Sequence, residues 1–163
     1  MIISMIKLEI KLPAKKIEIL INTPDISKTG GVANYYKCLD GRFRNSVVYN
    51  FIGGSSKSRF GPLNFILDYI IFFYKIAIIR PVIVHLNPSL DFKSLIRDSI
   101  FLLISKIFKR KVVVSWHGWK ERTERSIEEK YKKTFRFIYN QVDFITVLNS
   151  QIRDKLKEWG IKA

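Results

Sequence analysis

Five short runs rich in β-branched residues punctuate the chain, each followed by a segment with helical spacing. They are Ile17 to Ile21, closed by Asn22-Thr23-Pro24; Ser46 to Phe51, closed by Gly53-Gly54-Ser55-Ser56; Val82 to Leu86; Lys111 to Ser115; and Phe144 to Leu148. The runs are continuously apolar, the pattern of strands buried on both faces, which predicts a parallel sheet covered by helices. Between them, Leu63–Ile79 and Asp91–Phe108 are long enough for helices of about four or five turns. In the second, Phe92, Leu95, Ile96, Leu102, Leu103 and Ile107 form a broad apolar face, with Lys93, Arg97 and Lys106 outside it. Arg125 to Asn140 is more amphipathic, with Ile127, Tyr131, Phe135 and Ile138 on one side. Ser150 stands where the N-cap of a last helix is expected, and Gly160 ends that helix. Strand and helix alternate throughout, so the predicted fold is α/β: a doubly wound, mostly parallel sheet flanked by helices.

Ahead of the first run, Ile6, Leu8, Ile10 and Leu12 alternate with charged residues up to Pro13. That pattern predicts an N-terminal arm or extra strand over residues 1–16, followed by one domain over 17–163. Lys7, Glu9 and Lys11 interrupt any signal-peptide core. The most apolar stretch, Leu63–Ile79, carries Asn64, Asp68 and Lys75 and is too short to span a bilayer. A cytoplasmic protein is expected. The 163 residues, 47% of them hydrophobic, suffice for one ordinary core. Cys38 has no partner in the chain, which excludes a disulfide scaffold. No Cys, His and acid cluster has ligand spacing, so a metal is not expected, and no other cofactor is expected either.

Charge changes the picture. Lys and Arg number 29 against 14 Asp and Glu, a formal +15. Residues 103–136 alone hold eleven basic and four acidic side chains, while residues 81–102 are neutral. Such a field implies an anionic partner. The basic residues Lys109, Arg110, Lys111, Lys130, Lys132, Lys133 and Arg136 are interleaved with aromatic ones, which suits the surface of an anionic membrane. Peripheral attachment to the inner face of the membrane is the expectation. Nucleic acid is disfavoured, since no helix-turn-helix, zinc-finger or RNP-type signature occurs.

In doubly wound sheets, ligands bind where the carboxyl ends of the strands meet the loops. Both histidines and five of the eight glycines fall in those places. Gly30-Gly31-Val32 opens the first helix, where glycine permits close approach and free N–H groups attract an anion such as a diphosphate; a plain tight turn is the alternative. There is no GxGxxG and no Walker lysine. His117, directly after the fourth strand, is placed either to meet a substrate oxygen or to be satisfied by backbone. His85, within the third strand, reads as structural. Trp116 and Trp119 are candidates for stacking on a sugar or for core packing.

Four segments carry a resemblance when taken together: Thr29-Gly30-Gly31-Val32-Ala33-Asn34-Tyr35, Val82-Ile83-Val84-His85-Leu86-Asn87, Val112-Val113-Val114-Ser115-Trp116-His117-Gly118 and Val142-Asp143-Phe144-Ile145-Thr146-Val147-Leu148-Asn149-Ser150. Their order and spacing resemble the N-terminal half of retaining, GT-B-fold glycosyltransferases of family 4, from about Ile17 to the C-terminus. The resemblance implies a Rossmann-like, acceptor-binding domain of an enzyme that transfers a sugar from a nucleotide-sugar to a glycan or lipid-linked acceptor. It implies that Gly30, Gly31 and Val32 lie against the donor diphosphate and that His117 faces the transferred sugar as the catalytic residue. Asn87, Ser89, Trp116, Gly118, Trp119 and Ser150 are then the expected acceptor contacts. The family's donor-binding half has no counterpart in these residues, so the chain is expected to be a fragment or a separately encoded half, partnered in the second case by a C-terminal transferase domain, and to be inactive alone. The other reading is a non-catalytic basic α/β module that binds nucleic acid or a protein.

Overall fold

The computed structural model describes residues 18–52 and 61–162. The expected arm over residues 1–16 and the Gly53–Lys57 loop lie outside the described residues. Five parallel strands form the main sheet: β1 (Ile19–Thr23), β2 (Val47–Phe51), β3 (Ile83–Leu86), β5 (Lys111–Trp116) and β7 (Phe144–Val147), in the spatial order β2-β1-β3-β5-β7. Helices join them: α1 (Gly31–Leu39), α2 (Gly61–Ile79), α3 (Phe92–Ile107), α4 (Glu121–Ser126) leading through a π-helical turn (Ile127–Tyr131) into α5 (Lys132–Tyr139), and finally α6 (Ser150–Glu158). The chain moves outward from β1 in one direction to β2 and in the other to β3, β5 and β7. The doubly wound α/β fold is therefore present, and its crevice lies where the order reverses, between β1 and β3.

The strands are buried because their side chains alternate between two covered faces. Leu20, Val84, Leu86, Val112 and Val114 point to one face and are fully buried against Phe72 and Ile76 of α2, Phe101 and Leu102 of α3, and Phe135 and Tyr139 of α5. On the other face, Ile21 pairs in register with Tyr49 and His85, and α1 lays Ala33 and Tyr36 over them. Toward β7 this second face opens, and Phe144, paired with Val113, is 59% exposed.

Three local expectations are corrected. Asn149, not Ser150, caps α6, its side chain accepting from the Ile152 N–H at 2.9 Å. The amphipathic segment Arg125–Asn140 is not one α-helix, since the π-helical turn widens it at Ile127–Tyr131. In α3, Leu95 and Leu102 are buried beside Ser94, Asp98 and Ser105, whereas Ile96, Leu103 and Ile107 are exposed. Polar residues can occupy the inner face because most of their polar atoms find partners there, Asp98 Oδ1 and Arg97 Nε being the exceptions. Ser94 Oγ donates to Asp98, Arg97 bridges both, and Ser105 Oγ donates to the Phe101 carbonyl at 2.7 Å. Burial pushes the Asp98 carboxyl up, against the pull of Arg97.

Beyond β3 and β5 the two chains continue side by side. Two short strands, β4 (Ser89–Leu90) and β6 (Gly118–Trp119), pair Ser89 with Gly118 and Leu90 with Trp119. A Cβ added at Gly118 would meet Ser89 Oγ at 2.9 Å and Ser89 Cβ at 3.1 Å. Gly118→Ala should therefore cost about 1–3 kcal/mol, the range for forced overpacking. Adding Ser89→Gly should restore most of the loss in chemical denaturation. Equal losses in the single and double variants would show that this contact is not the constraint.

Candidate functional site in the switch-point crevice

Each strand of the main sheet carries a polar residue near its carboxyl end. They are Asn22 and Thr23 on β1, Asn50 on β2, His85 on β3 with Asn87 just beyond, Ser115 on β5 with His117 beyond, and Thr146 on β7. Most of these groups bond one another, while Asn22 Nδ2, Thr23 Oγ1 and Asn50 Oδ1 have no partner among the described residues. Asn50 Nδ2 donates to Asn22 Oδ1 at 3.0 Å, and Asn87 Nδ2 donates to the Asn22 carbonyl at 2.8 Å. Asn87 Oδ1 accepts from the Tyr36 hydroxyl at 2.9 Å and lies 3.0 Å from His117 Nε2. Tyr36 also touches His85 Nδ1 at 3.2 Å, and His85 Nε2 lies 2.7 Å from Ser115 Oγ, which bonds Thr146 Oγ1. The network reaches across the sheet from β2 to β7.

The network is uncharged. Burial, with a smaller repulsion from His117, lowers the His85 pKa to about 4. Burial lowers that of the half-buried His117 as well. Both rings are therefore neutral near pH 7, in a protein of formal charge +15. The Tyr36 hydroxyl is pushed up by burial and stays protonated.

The residues expected around a ligand are partly brought together. Gly30 precedes α1 at φ 156° and ψ 151°, a region that glycine alone occupies readily. A Cβ at Gly31 would meet nothing within 4 Å, so there is open space beside the backbone. No side chain caps the helix start, and the first-turn N–H groups, Val32 among them, are left to solvent or a ligand. From this helix Tyr35 reaches the His117 ring, with centroids 5.2 Å apart. The helix that the glycine turn opens thus reaches His117 through Tyr35, at the carboxyl-end side of the β1/β3 switch point. Gly118 and Ser89 line up beside His117 through the β4–β6 pairing, and the His117 N–H donates to the Pro88 carbonyl at 3.3 Å.

Other expected contacts lie elsewhere. Trp116 is 1% exposed, packed against Phe135 and Tyr139, and is out of reach of a ligand. Its position on the inward face of a central strand explains this. Trp119 stacks on Trp159 at 5.7 Å and donates Nε1 to Glu124, so it is held by packing. Asn87 is buried, with both ends of its amide engaged inside the protein. Ser150 is the first residue of α6 and is exposed. Lys109, Arg110 and Lys111 stand at the amino end of β5, opposite His117. Glu128, Glu129, Lys130, Lys132, Lys133 and Arg136 line a separate depression of about 540 Å³ on the outer side of α5.

Sequence reasoning missed Tyr35, Tyr36, Asn50, Ser115 and Thr146. The signal was present, since a polar residue stands in the last three positions of each largely apolar strand. Among the described residues there is no group of His, Cys, Asp and Glu suited to a metal ion. None of the described helices is long and apolar enough to cross a membrane. No family model matches the chain, and no curated protein matches it.

Proposed function

We propose that the chain is the acceptor-binding half of a retaining glycosyltransferase that uses a nucleotide-sugar donor. The observation that supports this reading is the contact of Tyr35, on the helix that Gly30-Gly31 opens without a side-chain cap, with the His117 ring. The four motifs that resemble family 4 enzymes contribute both sides of it. In this reading the uncapped start of α1 stabilises the donor diphosphate through backbone N–H groups and the helix dipole. His117 touches the transferred sugar, and the acceptor is held in line beyond Ser89 and Gly118. A donor-binding domain supplies the nucleotide pocket on the facing side. The test is incorporation of labelled sugar by this domain joined to a donor-binding partner, across a panel of nucleotide-sugars with glycan and lipid-linked acceptors. Transfer above the partner domain alone supports the proposal. No transfer, together with saturable binding of nucleic acid, would replace it with the basic-module reading.

Attachment to an anionic membrane belongs to the same proposal. Helix α2 exposes Phe65, Ile66, Leu67, Ile70, Phe73, Tyr74 and Ile78, an apolar row unusual for a helix facing water. Lys130 on the π-helical turn and Lys133 and Arg136 on α5 are exposed. Sedimentation with phosphatidylglycerol vesicles should exceed that with neutral vesicles and should weaken with salt, each well-placed basic residue contributing about 1 kcal/mol at low salt. Equal binding to neutral vesicles would remove the electrostatic account.

A further inference from the structure

The polarity of the crevice network follows from chemistry alone. A backbone carbonyl only accepts, so the Asn87 group facing the Asn22 carbonyl is the NH2. Its Oδ1 therefore faces Tyr36 and His117, and an amide oxygen also only accepts. Tyr36 must donate its single hydrogen there, and His117 Nε2 must carry one. Having spent its hydrogen, the Tyr36 oxygen accepts from His85 Nδ1. His85 Nε2 then accepts from Ser115, whose oxygen accepts from Thr146. Every bond from Thr146 to Asn87 runs in one direction.

We propose that Asn87 is a positioning residue that holds His117 as the Nε2–H tautomer, leaving the Nδ1 lone pair as the face that meets a ligand. A neutral imidazole with hydrogen on Nε2 can only accept at Nδ1. Nδ1 has no partner among the described residues. The ligand group bound there is thus a hydrogen-bond donor, such as a sugar hydroxyl, and not a phosphate oxygen. Anion binding is left to the start of α1. This inference deepens the proposed function but does not rest on it, because the tautomer follows from the protein's own bonds.

The experiment is long-range ¹H–¹⁵N spectroscopy of the histidine rings in the labelled chain, where protonated and lone-pair nitrogens resonate apart. The His117 signal is expected to show Nε2–H above its titration midpoint; an Nδ1–H pattern would overturn the proposal. Asn87→Ala should produce a mixture of the two tautomers, and an unchanged single tautomer would contradict the role of Asn87. Asn87→Asp keeps an acceptor and adds a negative charge beside Nε2. It should retain the tautomer and move the His117 titration midpoint up by about one to three pH units. An unmoved midpoint in that variant would overturn the contact even if Asn87→Ala does not fold. Failure of sugar transfer with the Nε2–H tautomer present would count against the enzyme reading and leave this one standing.

Discussion

Replacing His117 with alanine is expected to lower sugar transfer by roughly two to four orders of magnitude, the range for removing one group that stabilises charge or handles a proton. The measurement is made on the domain joined to its donor-binding partner. Stability should fall by only about 1 kcal/mol, because Asn87 Oδ1 loses one of two donors and keeps Tyr36. The ring is half-buried at the mouth of the crevice, so little core packing is removed. The ratio of the two effects is what matters. A variant that unfolds while each folded molecule keeps its activity would make His117 a structural histidine.

Acidification should destabilise the fold in a window set by His85. Its folded pKa is about 4, against an ordinary value of 6.5. Below pH 6.5 the unfolded chain takes up a proton that the folded chain refuses. The stability conferred by the neutral ring is complete above about pH 6.5 and is lost progressively as pH falls toward 4. The loss amounts to about 3 kcal/mol. His117 shifts in the same direction, through burial, and adds to it. The raised pKa of Asp98 works in the opposite sense, and the lowered carboxyls of Asp25 and Asp143 act at lower pH. Denaturant midpoints across this window should fall steeply in the native chain and less so in His85→Gln. Parallel slopes would mean that His85 does not hold its proton off.

Much of the architecture was legible because burial on both faces writes a continuous apolar run. Strand limits moved by a residue or two for a physical reason. β1 ends at Thr23 and not Ile21, since Asn22 and Thr23 stay in the sheet and Asn22 bonds Asn50 and Asn87. Periodicity placed Ile127, Tyr131, Phe135 and Ile138 together, and they do line one groove of about 420 Å³ against α3. It was blind to the π-helical turn, because one extra residue per turn hardly changes a pattern read over four turns. The inner face of α3 was misjudged because Asp98 and Ser94 are buried through their mutual bond and Ser105 through its bond to the Phe101 carbonyl, which hydropathy does not register.

In the crevice, the glycine turn and His117 were legible from their places after strands. Tyr36 was not. It lies 49 residues from His85 and 51 from Asn87, and only the folded topology brings them into contact. Trp116 illustrates the opposite error. One residue before His117, it alternates to the other face of the sheet and enters the core.

The claim on which the rest depends is that the β1/β3 crevice binds a nucleotide-sugar or its acceptor. Amide chemical-shift mapping of the labelled chain, titrated with a panel of nucleotide-sugars, tests it most directly. The account predicts shifts confined to Gly30–Val32, Tyr35, Asn87, Ser89 and His117–Gly118, with the α5 resonances unmoved. Shifts confined to Lys130–Arg136, reproduced by short oligonucleotides and leaving Gly31 and His117 unchanged, would contradict it.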